Sequence, residues 1–172
     1  MCYRLLTNYD FFCREYGFGK TETLSSAIDF AFQCIGPGND IDGAMVSAII
    51  EEVNHQTPDT EDFDSIFVSF ALDACVAVLE TLAFLKDKDF QHVAAVSTAS
   101  TDTVHAFVQE KFGIEYEDAD YESNILSNQL IREEIAFQKT LIESLKQTDT
   151  GTHDFLIKMR SGIRSGKSNI GL

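Results

Sequence analysis

The sequence predicts an all-α protein, a single-domain bundle of six or seven helices. Three observations carry this. Apolar residues recur at spacings of three and four along nearly the whole chain. No strand-like alternation persists, and no hairpin dipeptide sits between alternating runs. Only two prolines, Pro37 and Pro58, interrupt the helical pattern. With 172 residues, 44% hydrophobic and 24% charged, the chain has the size and composition of one globular domain with its own core. It shows no internal repeat and no low-complexity tract.

Leu5, Leu6, Tyr9, Phe12, Cys13 and Tyr16 form the stripe of a first helix, which Gly17 ends. Leu24, Ala27, Ile28, Ala31, Phe32 and Ile35 give the second, from about Thr21 to Ile35, and "GPGND" (36–40) stops it. The third spans about Asp42 to His55, with Met45, Ala48, Ile49 and Val53 on one side. After the polar "TPDTEDFD" (57–64), the fourth runs from about Ser65 to Lys86. It is apolar almost all round and is therefore expected to be central.

The fifth helix, about Asp89 to Phe112, carries Val93, Val96, Val104, Phe107 and Val108. Its run "AAVSTAS" (94–100) is poor in bulk and allows close approach of a neighbour. An acidic connection (113–122) leads to a long sixth helix, about Glu122 to Gln147. Gly151 then precedes a short seventh helix ending near Ser161, and a tail starts at about 162. In that tail, "SGKSNIGL" is expected to lie ordered against the bundle, anchored by Ile170 and Leu172, with Asn169 satisfying backbone groups in a turn.

Charge narrows the partners. The net charge is −15, and residues 51–130 hold 17 Asp and Glu against 3 Lys and Arg. Such a body repels nucleic acid and anionic membrane surfaces. The last 22 residues reverse the balance, with Lys158, Arg160, Arg164 and Lys167 against Asp154 alone. This basic end suits the acidic body of the same chain, the stretch 115–122 included, or that of a partner subunit. Ile66 to Leu85 is long enough to span a bilayer, but it carries Asp73 and Glu80, which are costly in lipid. It reads as a buried core helix. The start of the chain has no secretory pattern, and Cys2, Cys13, Cys34 and Cys75 form no CxxC pair. They read as small buried hydrophobes in a reducing cytoplasm.

One stretch mimics a nucleotide site. "YGFGKT" (16–21) ends like a phosphate-binding loop, G-x-x-x-x-G-K-[ST]. The first glycine of that pattern falls on Arg14, and the residues before it are helical rather than a strand. The stretch reads instead as a turn between two helices, with Thr21 capping the second. No cofactor is expected.

Asp73, in "ALDACVAVLE", is the weak catalytic candidate. A carboxylate on so apolar a helix needs a partner, or its pKa rises. It is either a general acid/base or ligand-binding group in a pocket, or a structural carboxylate bonded to a helix N-terminus, a hydroxyl or an arginine. Asp62 and Asp64, with His55, Asp59 and Glu61 nearby, are the weak metal candidates. Their order lacks the central glycine and terminal glutamate of a calcium loop, so capping of the fourth helix is the simpler role. His92, His105 and His153 are scattered.

"NYDFFCREYGFG", "EDFDSIFVSFALDACVAVLETL" and "SGKSNIGL", in that order, resemble the YjaG-like family of small bacterial proteins. The strongest pieces are "GFG" (17–19), "DFD" (62–64), "DACVA" (73–77) and "SNIG" (168–171). The resemblance implies an all-helical cytoplasmic bacterial protein with no assigned activity, so no catalytic residues carry over. It also implies a further amphipathic segment before the region resembling "CYRLLTNYDFFC", without which the first helix lacks a packing partner. Lys20-Thr21 departs from the family pattern. The expected function is a protein-binding or self-associating module, the alternative an enzyme or small-ligand-binding protein with a pocket around Asp73.

Overall fold

The computed structural model describes residues 1–35, 41–147, 157, 160–162 and 167–172. Its elements are α1 (Cys2–Tyr16), α2 (Thr21–Gln33), α3 (Gly43–Asn54), a 3₁₀ turn (Thr60–Asp62), α4 (Ile66–Asp87), α5 (Phe90–Phe112), α6 (Tyr121–Ser127) and α7 (Gln129–Gln147). The protein is an all-α bundle, with no strand among the described residues. Ile157 and residues 160–162 are helical, where the short last helix is expected. The rest of that helix, Gly151 and "GPGND" lie outside the described residues.

Helix α4 is the axis, packed by α1, α2 and α3 on one side and by α5 on another. Its apolar circumference makes this possible: Val68, Phe70, Ala71, Cys75, Val78 and Leu82 are all buried, though they point in different directions. The main core joins these to Leu5, Tyr9 and Phe12 of α1, Leu24 of α2 and Val46 and Val53 of α3. A second core gathers Phe70 with Val104, Val108, Ile125, Ile131 and Ile170. Each fully buried large side chain contributes about 1.5–3 kcal/mol. α4 is long and apolar enough to cross a membrane, yet here those side chains form the protein core.

Local signals set most helix ends. Asp42, Ser65 and Asp89 are the N-caps of α3, α4 and α5, their side chains accepting from the N–H groups of Ala44, Phe67 and Gln91. Gly17 takes the left-handed conformation, φ 66°, and its N–H bonds the Cys13 carbonyl at 2.9 Å.

Several expectations change. The single sixth helix is two, α6 and α7, because Asn128 leaves helical geometry and its Oδ1 accepts from the Leu130 N–H at 3.0 Å. Thr21 is not a cap: its hydroxyl donates to Asp10 Oδ1 at 3.0 Å, tying α2 to α1. The buried line of α3 runs through Val46 and Val53, leaving Met45 and Ala48 exposed. Val93 of α5 is exposed as well. Arg160 meets Asp29 of α2 at 2.5 Å rather than the acidic connection 115–122. Lys158 and Arg164 lie outside the described residues. In the tail Ser168, Asn169 and Ile170 are buried, whereas Leu172 is exposed and is no anchor.

Candidate functional site

Asp73 lies on a groove between α4 and α5. Helical spacing places Asp73, Val76 and Glu80 (i, i+3, i+7) on one face of α4. Opposite them stand Gln91, His92, Ala95, Thr98 and Asp102 of α5, and the groove encloses about 620 Å³. The small side chains of "AAVSTAS" divide their work. Ala99 and Ser100 are buried and let α5 pack closely, while Ala94, Ala95 and Thr98 leave the groove open.

Asp73 itself is partly buried, and the Thr103 hydroxyl donates to its Oδ2 at 2.7 Å. The same hydroxyl also bonds the Ala99 carbonyl at 3.0 Å. The partner is thus a hydroxyl, one of the structural options. Burial pushes the Asp73 pKa up to about 6, the Thr103 bond opposes this, and the negative Asp102 adds to it. At the other end, His92 Nδ1 lies 2.5 Å from Glu80 Oε2 and Nε2 lies 3.0 Å from Asp87 Oδ2. An imidazole flanked by two carboxylates is held as the cation, because both nitrogens then donate. The bonds to Glu80 and then to Asp87 raise its pKa above the ordinary histidine value.

Chemically, the groove offers a carboxyl that titrates near neutrality and an imidazolium already neutralised by its neighbours. Among the described residues no serine, cysteine or lysine lines it. Asp62 and Asp64 stand apart from it. Both are exposed, and Ser65, not either aspartate, caps α4. Among the described residues no group of three His, Cys, Asp or Glu side chains is placed to hold a metal ion.

A second concavity sits where the start of α1 meets α2 and the end of α4. It measures about 270 Å³, and Tyr3, Ile28, Phe32, Phe84, Leu85 and Val96 are among its lining. Its wall is nearly all carbon. The Thr81 hydroxyl donates within α4 to the Ala77 carbonyl at 2.8 Å, and Cys2 Sγ lies 3.3 Å from it. Phe90 packs on Phe84 with ring centroids 5.7 Å apart and is itself 76% exposed. Ile35 lines the groove and is 46% exposed.

Between α1, α5 and α7 lies a buried polar cluster. Glu134, 1% exposed, accepts from Arg4 Nη1 at 2.6 Å, from the Ser100 hydroxyl at 2.8 Å and from Gln138 Nε2 at 2.9 Å. Asn8 and Asn169 are buried beside Ser100. Sequence reasoning passed over Glu134 and Asn8. The available signal was a polar residue at an apolar-stripe position: Asn8 falls between Leu5 and Phe12, and Glu134 three residues after Ile131.

A family model described as "Protein of unknown function (DUF416)" matches residues 1–172, the whole chain. The chain belongs to the DUF416 family. Among its relatives in that family, the Escherichia coli K12 "Uncharacterized protein YjaG" is 26% identical over 176 residues, spanning all of this chain and 86% of that one. An uncharacterised protein of Haemophilus influenzae Rd is 25% identical over 175 residues, with the same coverage. The crystal structure of a DUF416 family protein from Shewanella baltica OS155 superposes with a TM-score of 0.89 at 25% identity, over 99% of this chain and 87% of the other. The YjaG-like resemblance seen in the sequence is therefore the DUF416 family, and the helical fold is shared with a solved member.

Proposed function

We propose that this protein is a protein-binding module of the cytoplasm, docking its partner in the apolar groove between the start of α1, α2 and the end of α4. The observation that carries this is the near-absence of polar atoms from the groove, together with the exposed Phe90 and Ile35 beside it. At about 270 Å³, the groove falls just below the usual ~300–1,000 Å³ of small-molecule sites. It suits a few anchoring side chains of a protein partner. Net charge favours one partner class: at −15, an apolar segment flanked by Lys and Arg is attracted. Four free thiols, with no disulfide, support a reducing compartment.

A benzophenone amino acid at position 90 tests this in cells. The expected product is a cross-link to another protein, which after purification binds the wild type and binds Phe90→Glu about tenfold or more weakly. A cross-link to a second copy would reassign the groove to self-association. Absence of any cross-link, with a monomer at every concentration by light scattering, would overturn the reading.

One observation favours a second reading, a small cationic ligand in the Asp73 groove. Its volume of about 620 Å³ is in the small-molecule range. Asp73, Glu80 and Asp102 line it, and no lysine or arginine does so among the described residues. Thermal shifts with a panel of amines test this: stabilisation by some amine, abolished by Asp73→Asn, is the expected result. No shift with any amine would remove it.

A further inference from the structure

Residues 168–172 form a compact turn docked against the bundle. Ser168 Oγ accepts from the Leu172 N–H at 2.8 Å and from the Ile170 N–H at 3.3 Å. The Gly171 N–H reaches the Ser168 carbonyl at 3.3 Å, and Gly171 sits at φ 86°, a conformation that glycine adopts without strain. These bonds are internal to residues 168–172, so undocking need not break them.

What it docks into comes from distant parts of the sequence. Asn169 Nδ2 donates to the Ser100 carbonyl of α5 at 2.8 Å, and Asn8 Nδ2 of α1 donates to Asn169 Oδ1 at 2.9 Å. Ile170 fills the second core beside Phe70, Val104 and Val108. The walls are also held without the plug. Glu134 ties Arg4 of α1 and Ser100 of α5 to α7 through its own carboxylate. A slot with fixed walls and a preformed filler is the arrangement of a receptor and its peptide. Docking is moreover incomplete, because Asn8 Oδ1 is buried with no hydrogen-bond partner among the described residues. That orphan acceptor lowers the gain on closing.

We propose that this slot is a peptide-binding site, filled here by the chain's own Ser168–Ile170 and open to the same segment of a second copy of this chain. Such exchange of an identical element is a low-cost route to a dimer. The site is separate from the apolar groove, so either can fail without the other.

Complementary full-length variants test it. Asn8→Leu spoils the slot and frees the plug, whereas Ile170→Asp spoils the plug and frees the slot. The expected result is that each alone is monomeric by light scattering and that the mixture forms a heterodimer. A labelled hexapeptide of residues 167–172 should bind Ile170→Asp about tenfold or more tightly than wild type. Folded variants that neither pair nor bind the peptide would overturn the proposal. If a variant does not fold, hydrogen exchange of the wild type decides. Exchange of the Asn169 side-chain amide, which donates to the Ser100 carbonyl, about 100-fold faster relative to its intrinsic rate than that of the Val104 amide, through local opening, supports a separable plug. Exchange at the same rate as Val104 refutes it.

Discussion

A β-carbon on Gly19 would overlap the hydroxyl of Tyr9. Tyr9 is fully buried, and its hydroxyl donates to the Gln56 carbonyl at 2.7 Å, so it has no room to retreat. Gly19 is therefore glycine for two reasons, the contact and its φ of 75°. This explains the second glycine of "YGFGKT": it lets the α1–α2 turn close over Tyr9.

Gly19→Ala should accordingly lower stability by about 2–4 kcal/mol, from left-handed strain plus a displaced buried hydrogen bond. Gly17, whose added β-carbon would meet nothing within 4 Å, should cost only about 1 kcal/mol for its positive φ. Urea denaturation of the two variants checks the order, and equal losses would contradict it.

Asp73 should make the protein less stable at neutral pH than in mild acid. Its folded pKa, about 6, is raised above the ordinary value of 3.8. The favourable contribution of the neutral form is then complete below about pH 4 and is lost as pH rises through 6. Asp73→Asn should raise stability by about 1–3 kcal/mol at pH 7 and leave it unchanged near pH 3.5. A loss at pH 7 would show that the carboxylate is needed in its charged form.

His92 behaves in the same direction for a different reason. Its pKa is raised by the bonds to Glu80 and Asp87, so the stabilising imidazolium is fully present below the ordinary histidine pKa and lost as pH rises through the folded value. Proton NMR should find the ring titrating above 6.5, and Glu80→Gln should bring it down. A titration at or below 6.5 in the wild type would mean that the clamp does not form in solution.

Glu134→Ala should be among the more damaging substitutions of α7. It leaves the Arg4 guanidinium, only 15% exposed, without its carboxylate, and loss of one partner of such a pair costs about 3–5 kcal/mol. Replacing Glu133, which is exposed and accepts from Gln129 on the same helix, should change stability by about 0.5 kcal/mol or less. Thermal denaturation of both variants gives the comparison.

The all-α class, the places where α3, α4 and α5 begin and the central position of α4 were legible in the sequence, because periodicity, caps and an all-round apolar helix are local properties. The stop at Asn128 was missed: an asparagine cap is also a local signal, but the long apolar stripe on either side of it obscured the break. Which of two adjacent stripes on α3 turns inward was not legible. Met45 and Val46 both fit the spacing, and only the neighbouring α4 decides for Val46. The surroundings of Asp73 are likewise tertiary: its position on α4 was plain, but Thr103, 30 residues away, and the open groove depend on how α5 crosses. Asn8, Glu134 and Asn169 carry the same lesson most strongly. Alone, each is a polar residue near apolar ones, and burial becomes tolerable only when helices far apart in sequence bring their hydrogen-bonding groups together.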